Sequence, residues 1–178
     1  MTDANEYGKA LFLITEEDAM SDTVLTDVKI AESIFKSNPD YVKLLDSPVL
    51  KKEERVELVD RAFGSLNVNL LNLIKILTEK REVHLFDKIA TAYYGLYDQS
   101  RGIVRVEAIT AIPLTKEQSD AIANKLANML GKKIFVTNVI DRSILGGVKL
   151  RYSGIQLDGS VKTRLDKFDE AIKNTVID

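Results

Sequence analysis

The spacing of apolar residues changes once along this chain, near Gly102, and that change limits the folds open to it. As far as Arg101, apolar residues recur every three or four positions, which is typical of amphipathic helices. From Ile103 onward, alternating patterns and glycines appear, as in short strands and turns. With 178 residues available, we predict an α+β protein overall. An all-α domain spans residues 1–102 and a small α+β domain spans residues 103–178.

The first region contains six segments with helical periodicity. Asn38-Pro39 supplies a cap followed by proline at a first helical position, and Gly64 ends a later segment. The segments are residues 4–20, 22–37, a short one opening at Pro39, 51–63, 68–80 and 82–100. Because the loops between them are short, neighbouring helices run antiparallel, and we predict a six-helix bundle.

The second region mixes strands and helices. Alternation predicts strands over residues 104–112, 134–140 and 148–152, with a short extended piece at 155–157. Thr115 and Gln118 form a capping box for a helix that ends before Gly131. Gly146-Gly147 predicts a bulged corner before the third strand. A last helix is expected to begin near Ser160.

Composition excludes several classes of function. The net charge of −2 lacks the basic surface that nucleic-acid binding needs, and the absence of cysteine excludes disulfides and thiolate metal sites. His84 is the only histidine, and neither a phosphate-binding loop nor a dinucleotide fingerprint is present. We therefore assign no catalytic residue, no metal and no cofactor. We find no leader or membrane-spanning stretch, so we expect a chain that is soluble when isolated.

The fifth helical segment carries more apolar surface than one buried stripe requires. Its leucines and isoleucines cover well over half of the circumference, and the first segment also has apolar residues outside its main stripe. Two such helices side by side leave an apolar groove that fits an amphipathic helix from another chain. A fully enclosed central helix explains the same pattern. The candidate contact residues are Tyr7, Ala10, Leu11, Ile14, Leu70, Ile74 and Leu77.

One block of the second region resembles a known family. Residues 140–165 carry an Asp-x-Ser turn, a hydrophobic pair, Gly-Gly, a strand, a glycine, then Asp-x-Ser and Arg-Leu. This block resembles the delta subunit of F-type ATP synthase, the family of the oligomycin-sensitivity-conferring protein. The matching positions are Asp141, Ser143, Gly146, Gly147, Gly154, Asp158, Ser160, Arg164 and Leu165. Arg142 stands where the family usually has proline, and Gly8 replaces an alanine of the family's opening helix.

The resemblance implies a non-catalytic stator subunit. In that family the N-terminal helices cap the catalytic head by binding the N-terminal helices of alpha subunits through the first and fifth helices. The C-terminal part joins the C-termini of the b subunits in the peripheral stalk. One copy per complex is then expected, held peripherally on the cytoplasmic face of a bacterial plasma membrane and reaching the membrane only through the complex.

Two alternatives remain open from the sequence. A helical adaptor outside any ATP synthase uses the same groove, and a small enzyme could hold an unrecognised carboxylate site.

Overall fold

The computed structural model describes residues 3–144, 146–152 and 155–158, the last four by their backbone alone. The chain divides into two compact units, Met1–Ser100 and Arg101–Asp178. Each unit has its own set of elements and is described by itself.

The described part of the first unit is helical. Its elements are α1 (Ala4–Glu17), α2 (Ser21–Ser37), α3 (Pro39–Asp46), α4 (Lys52–Phe63), α5 (Val68–Lys80), a 3-10 turn (Val83–Leu85) and α6 (Phe86–Ser100). Two predicted boundaries differ from the structure by three residues or more. The first helix ends at Glu17 instead of residue 20, since Ala19 takes a positive φ of 55°. The sixth begins at Phe86 instead of residue 82, because Arg81 is left-handed and Val83–Leu85 forms the tighter turn.

Aromatic side chains form the centre of the first unit. The Phe35 ring lies 5.0 Å from both Phe63 and Phe86, centroid to centroid. The buried Tyr93 hydroxyl donates to the Ser21 carbonyl at 3.0 Å and shares a 3.1 Å hydrogen bond with the Thr15 hydroxyl. Burial raises the pKa of Tyr93 above its ordinary value. The phenol therefore stays neutral and hydrogen-bonded inside the core.

Arg55 is a buried cation whose partners are helix ends. Its Nη1 donates to the carbonyl of Leu45 near the end of α3 and to that of Thr78 near the end of α5, each at 2.9 Å. Carbonyls in a last helical turn carry partial negative charge and often lack an intrahelical donor. The guanidinium thus joins two helix C-termini at one point inside the unit.

Gly8 allows α1 to approach α6 closely. A Cβ placed on Gly8 would lie 2.7 Å from the Ala92 Cβ and 2.7 Å from the Ile89 carbonyl oxygen, with the Tyr93 nitrogen at 3.2 Å. Atoms at such separations overlap, and a backbone oxygen cannot turn aside as a flexible side chain can. The glycine at this position is therefore required by the distance between the two helices.

The second unit contains a mixed sheet beside one described helix. Its elements are β1 (Ile103–Thr110), α7 (Lys116–Leu130), β2 (Lys133–Ile140), β3 (Val148–Tyr152) and β4 (Ile155–Asp158). The strand order is β2-β1-β3-β4. β1 and β2 are parallel, while the β1–β3 and β3–β4 pairs are antiparallel. Every second residue near the end of β1 is buried, at Val106, Ala108 and Thr110, as the predicted alternation requires.

Asn138 fixes the connection that follows β1. Its side-chain nitrogen donates to the Ala108 carbonyl and to the Thr110 hydroxyl at 2.8 Å each, and its side-chain oxygen accepts the Leu114 amide at 2.9 Å. The chain beyond Thr110 is thus bonded to a side chain in place of a neighbouring strand. For this reason β1 ends at residue 110, two residues before the predicted end.

The family-like block begins with a side-chain turn. The Asp141 carboxylate accepts the amide of Ser143 at 2.9 Å and its hydroxyl at 2.6 Å, and these bonds hold the pKa of Asp141 below its usual value. Gly147 has a φ of 85° directly before β3, which favours glycine there. Asp158 ends β4.

The rest of that block lies outside the described residues. This applies to Gly154, Ser160 and Arg164, and to the helix expected from Ser160.

We expect the two helical glycines Gly8 and Gly95 to respond oppositely to alanine. Gly8→Ala should lower the free energy of unfolding by about 1–2 kcal/mol, because overpacking outweighs the gain of roughly 1 kcal/mol in helix propensity. Gly95 lies in α6 with nothing within 4 Å of its added Cβ, so Gly95→Ala should raise stability by about 0.5–1 kcal/mol. Urea unfolding followed by circular dichroism measures both, and stabilisation by Gly8→Ala would contradict the close approach of α1 and α6.

Replacing Arg55 should destabilise the first unit strongly. Arg55→Met leaves two buried carbonyls without their donor, a loss of about 2–3 kcal/mol. The matched control is Arg61→Met, since Arg61 is exposed on α4 and its one ion-pair partner among the described residues is Glu57, one turn earlier. Such a surface pair contributes below about 1 kcal/mol. Thermal unfolding compares the two variants, and equal shifts in Tm would rule out a structural role for the buried guanidinium.

Candidate functional site

Two helices of the first unit, α1 and α5, lie side by side and antiparallel. At one end the Lys80 ammonium donates to the Tyr7 hydroxyl at 2.7 Å. At the other end the side-chain amide of Asn69 donates to the Asp18 carboxylate at 3.3 Å. The start of α1 therefore meets the end of α5, and the end of α1 meets its start.

These two contacts define the stripe on each helix that faces the other. Residues four, seven and eleven positions apart share one side of a helix. On α1 the stripe runs from Tyr7 to Asp18 through Leu11 and Ile14. On α5 it runs from Asn69 to Lys80 through Leu73 and Ile76. We call the line where the two stripes meet the α1/α5 seam.

Apolar side chains are exposed along this seam. Ile14 is 48% exposed and Ile76 is 42% exposed, while Leu11 and Leu73 beneath them are buried. Farther out, Leu13 on α1 is 55% exposed and Val68 on α5 is 61% exposed. Four large apolar side chains of two adjacent helices thus face solvent, whereas a helix packed on one side needs no second apolar face.

The structure corrects the residues expected on α5. Leu70, Ile74 and Leu77 are each 0% exposed and belong to the core, so the expectation that they offer a contact surface is wrong. They share the inner side of α5, about 100° around the helix from the stripe that faces α1.

The expected α1 residues are divided between core and surface. Leu11 is buried in the core, Ala10 and Ile14 are exposed, and Tyr7 is half-buried beside Lys80. Leu73, Ile76 and Val68 were missed on α5. The polar residues Asn69 and Lys80 could have indicated them. Both share one stripe of α5 with Leu73 and Ile76, and polar residues in a stripe indicate that it reaches the surface.

Lys80 and Tyr7 close one end of the seam. The Lys80 ammonium lies 5.4 Å from the centroid of the Tyr7 ring as well as bonding its hydroxyl. This hydrogen bond raises the pKa of Lys80, so the ammonium remains charged at neutral pH. Lys75, on the outer side of α5, is engaged at 2.5 Å with Asp60 of α4.

The only histidine has a structural partner. His84 Nδ1 lies 2.7 Å from the Asp46 carboxylate, which also accepts the backbone amides of Val83 and His84. Asp46 thereby caps the turn that leads into α6. His84 lines a cavity of about 250 Å³ with aromatic and charged residues, and no serine, threonine, tyrosine or cysteine is among the lining residues. The pair therefore has no hydroxyl or thiol to activate in that cavity.

Within residues 3–144, 146–152 and 155–158, no three histidine or acidic side chains are grouped so that they could hold a metal ion. Over the same ranges, no helix has the length and apolar content needed to cross a bilayer.

Comparison with known proteins agrees with the fold and with the residue pattern. The family model described as ATP synthase delta (OSCP) subunit matches residues 4–172. A Clostridioides difficile (strain 630) protein named ATP synthase subunit delta is 34% identical and aligns over 97% of each chain. A Lactobacillus gasseri protein of the same name is 31% identical over 95% of this chain and 93% of its own length.

A solved structure shares the fold. It is a chain from the mitochondrial ATP synthase hexamer of Toxoplasma gondii, with a TM-score of 0.72 at 21% identity, covering 97% of this chain and 98% of that one. The family match spans nearly the whole length, so the chain belongs to the ATP synthase delta (OSCP) subunit family.

Proposed function

We propose that the α1/α5 seam binds the N-terminal helix of an alpha subunit and that the second unit binds the C-termini of the b subunits. The chain is a non-catalytic subunit of F-type ATP synthase that links the catalytic head to the peripheral stalk. The observation that supports the alpha contact is the exposure of Ile14 and Ile76 on adjacent antiparallel helices. The family resemblance supports the contact with the b subunits.

The mechanical role explains why such a contact is apolar. Rotation of the central shaft applies torque to the catalytic head, which has to be held against the membrane sector so that proton flow drives ATP synthesis. A holding contact must dissociate slowly, and buried apolar anchors mainly slow dissociation. The seam offers anchors of this kind on two helices that are fixed to each other at both ends.

The finer features of the assembly are part of the same proposal. The helices of the first unit form a six-helix bundle that presents the seam, and one copy of the chain serves each complex. In a bacterium the subunit lies on the cytoplasmic face of the plasma membrane and reaches the bilayer only through its partners.

Family membership argues against both alternatives, a helical adaptor outside any ATP synthase and a small enzyme.

Charging the seam should abolish binding of the alpha subunit without unfolding the chain. Since Ile14 and Ile76 are already half in water, Ile14→Glu with Ile76→Glu should leave the unfolding curve nearly unchanged. The pair should weaken binding of an alpha N-terminal peptide from the same organism by about a hundredfold, as loss of a central apolar anchor does. Titration calorimetry with the full chain measures the change.

The matched control places the same charges elsewhere on the first unit. Ile30 on α2 and Leu44 on α3 are exposed to a similar degree and lie outside the seam. Ile30→Glu with Leu44→Glu should leave binding of the alpha peptide intact. Both double variants should still bind a peptide from the C-terminus of the b chain, because that contact is assigned to the second unit. Normal alpha binding by the seam variant would refute the assignment.

A further inference from the structure

We infer that the helix bound in the α1/α5 seam carries lysine or arginine beside its apolar stripe, with these cations at the end where α1 finishes. This inference rests on the proposed function of the seam and adds the charge and the direction of the bound helix. It is carried by an uneven distribution of charge around the exposed apolar side chains.

The end of the seam where α1 finishes and α5 begins is acidic, and no basic residue lies near it in the sequence. Between Ala10 and Val28 the chain contains five acidic residues and no lysine or arginine. The facing part of α5 contains none either, since Lys75 is the first basic residue after Arg61. The five are Glu16, Glu17, Asp18, Asp22 and Asp27.

Two of these acids stand directly at the seam. Asp18 belongs to the stripe of α1 that faces α5 and bonds the Asn69 amide, while Glu17 lies just outside it on the exposed side. Both side chains are exposed. In the part of the chain that the structure describes, neither carboxylate pairs with a cation. A bound helix would therefore meet two carboxylates that no lysine or arginine already neutralises.

The opposite end of the seam is close to neutral. Glu79 is paired there with Lys52 at 2.9 Å, and the Lys80 ammonium bonds the uncharged Tyr7 hydroxyl. Glu6 on α1 is followed by Lys9 three positions later, a spacing that brings opposite charges together on a helix surface. The potential along the seam thus becomes more negative from the start of α1 toward its end.

A gradient of this kind selects the orientation of a helical partner. Charges at the edge of an interface contribute mainly to steering and register, while the buried apolar side chains supply most of the affinity. A helix with cations at one end is attracted to Glu17 and Asp18 in one orientation, and it loses this attraction when it is reversed. A helix with carboxylates beside its apolar stripe meets like charges and is disfavoured.

Replacing the two acidic residues by lysine tests the inference directly. Lysine suits the last turn of a helix, so Glu17→Lys with Asp18→Lys should not weaken α1 itself. Because Asp18→Lys also removes the hydrogen bond from the Asn69 side chain, Glu17→Lys alone is measured beside the double variant. The probes are two designed peptides of about 20 residues, a helix of roughly 30 Å, with one apolar stripe flanked by lysine in the first and by glutamate in the second. The alpha N-terminal peptide serves as the third probe.

The wild-type chain should prefer the lysine-flanked peptide. The double reversal should weaken that peptide by about tenfold and strengthen the glutamate-flanked one. Raising the salt concentration should shrink both differences. Glu53→Lys with Glu57→Lys makes the same change in net charge at exposed sites on α4, outside the seam, and it should leave the preference unchanged.

Direction can be measured because the chain has no cysteine. A nitroxide on Ser65→Cys, an exposed position just before α5, should broaden nuclear resonances from the basic end of a peptide with lysines at one end only. Broadening of the opposite end would overturn the assigned direction.

The failures of the two proposals are distinguishable. If the alpha peptide binds the wild-type chain but neither designed peptide responds to the double reversal, the charge inference is wrong and the apolar seam stands. If the alpha peptide does not bind the wild-type chain, the proposed function of the seam is wrong and the inference falls with it.

Discussion

The close contact between α1 and α6 at Gly8 decides what the first unit shows to its surroundings. With no Cβ at this position, α1 lies directly against the backbone of α6 near Ile89, and its opposite side is turned outward. The buried Tyr93 hydroxyl of α6 is hydrogen-bonded to the Ser21 carbonyl and to the Thr15 hydroxyl of α1. These bonds add a second contact between α1 and α6. Once α1 is fixed in rotation, Ile14 has no place in the core and faces solvent beside α5.

Sequence periodicity located the helices of the first unit but could not choose between the two apolar faces of α5. A stripe that faces the core and a stripe that faces a partner have the same spacing and the same residue types. Leu70 and Ile74, which were expected at the contact, lie on the more continuous stripe, and this is the stripe that faces the core. The side with Leu73 and Ile76 is interrupted by polar residues, as a surface that spends time in water has to be.

In the second unit, local turn chemistry was easier to predict than long-range pairing. The positive φ of Gly147 and the hydrogen bond from the Ser143 amide to Asp141 both depend on residues that are neighbours in the sequence. The role of Asn138 was not predicted, since three of its side-chain hydrogen bonds join residues 24 to 30 positions earlier and no local pattern indicates them. It accounts for the early end of β1. Backbone groups that leave a sheet need other partners, and a single amide side chain can serve as donor and acceptor at once.

An exposed apolar seam is a hazard for a chain that waits to be assembled, because two copies could bury it against each other. The acidic residues beside Ile14 oppose a parallel pairing of two copies through the seam, which brings carboxylates of the same charge together in a partly desolvated interface. In the proposed contact, Glu17 and Asp18 act against that partner through the same charge that favours a basic helix. In the proposed contact, apolar anchors hold any helix that fits, and the carboxylates restrict which helix that is. A stator contact needs both properties, since it must last through many rotations and form in only one direction.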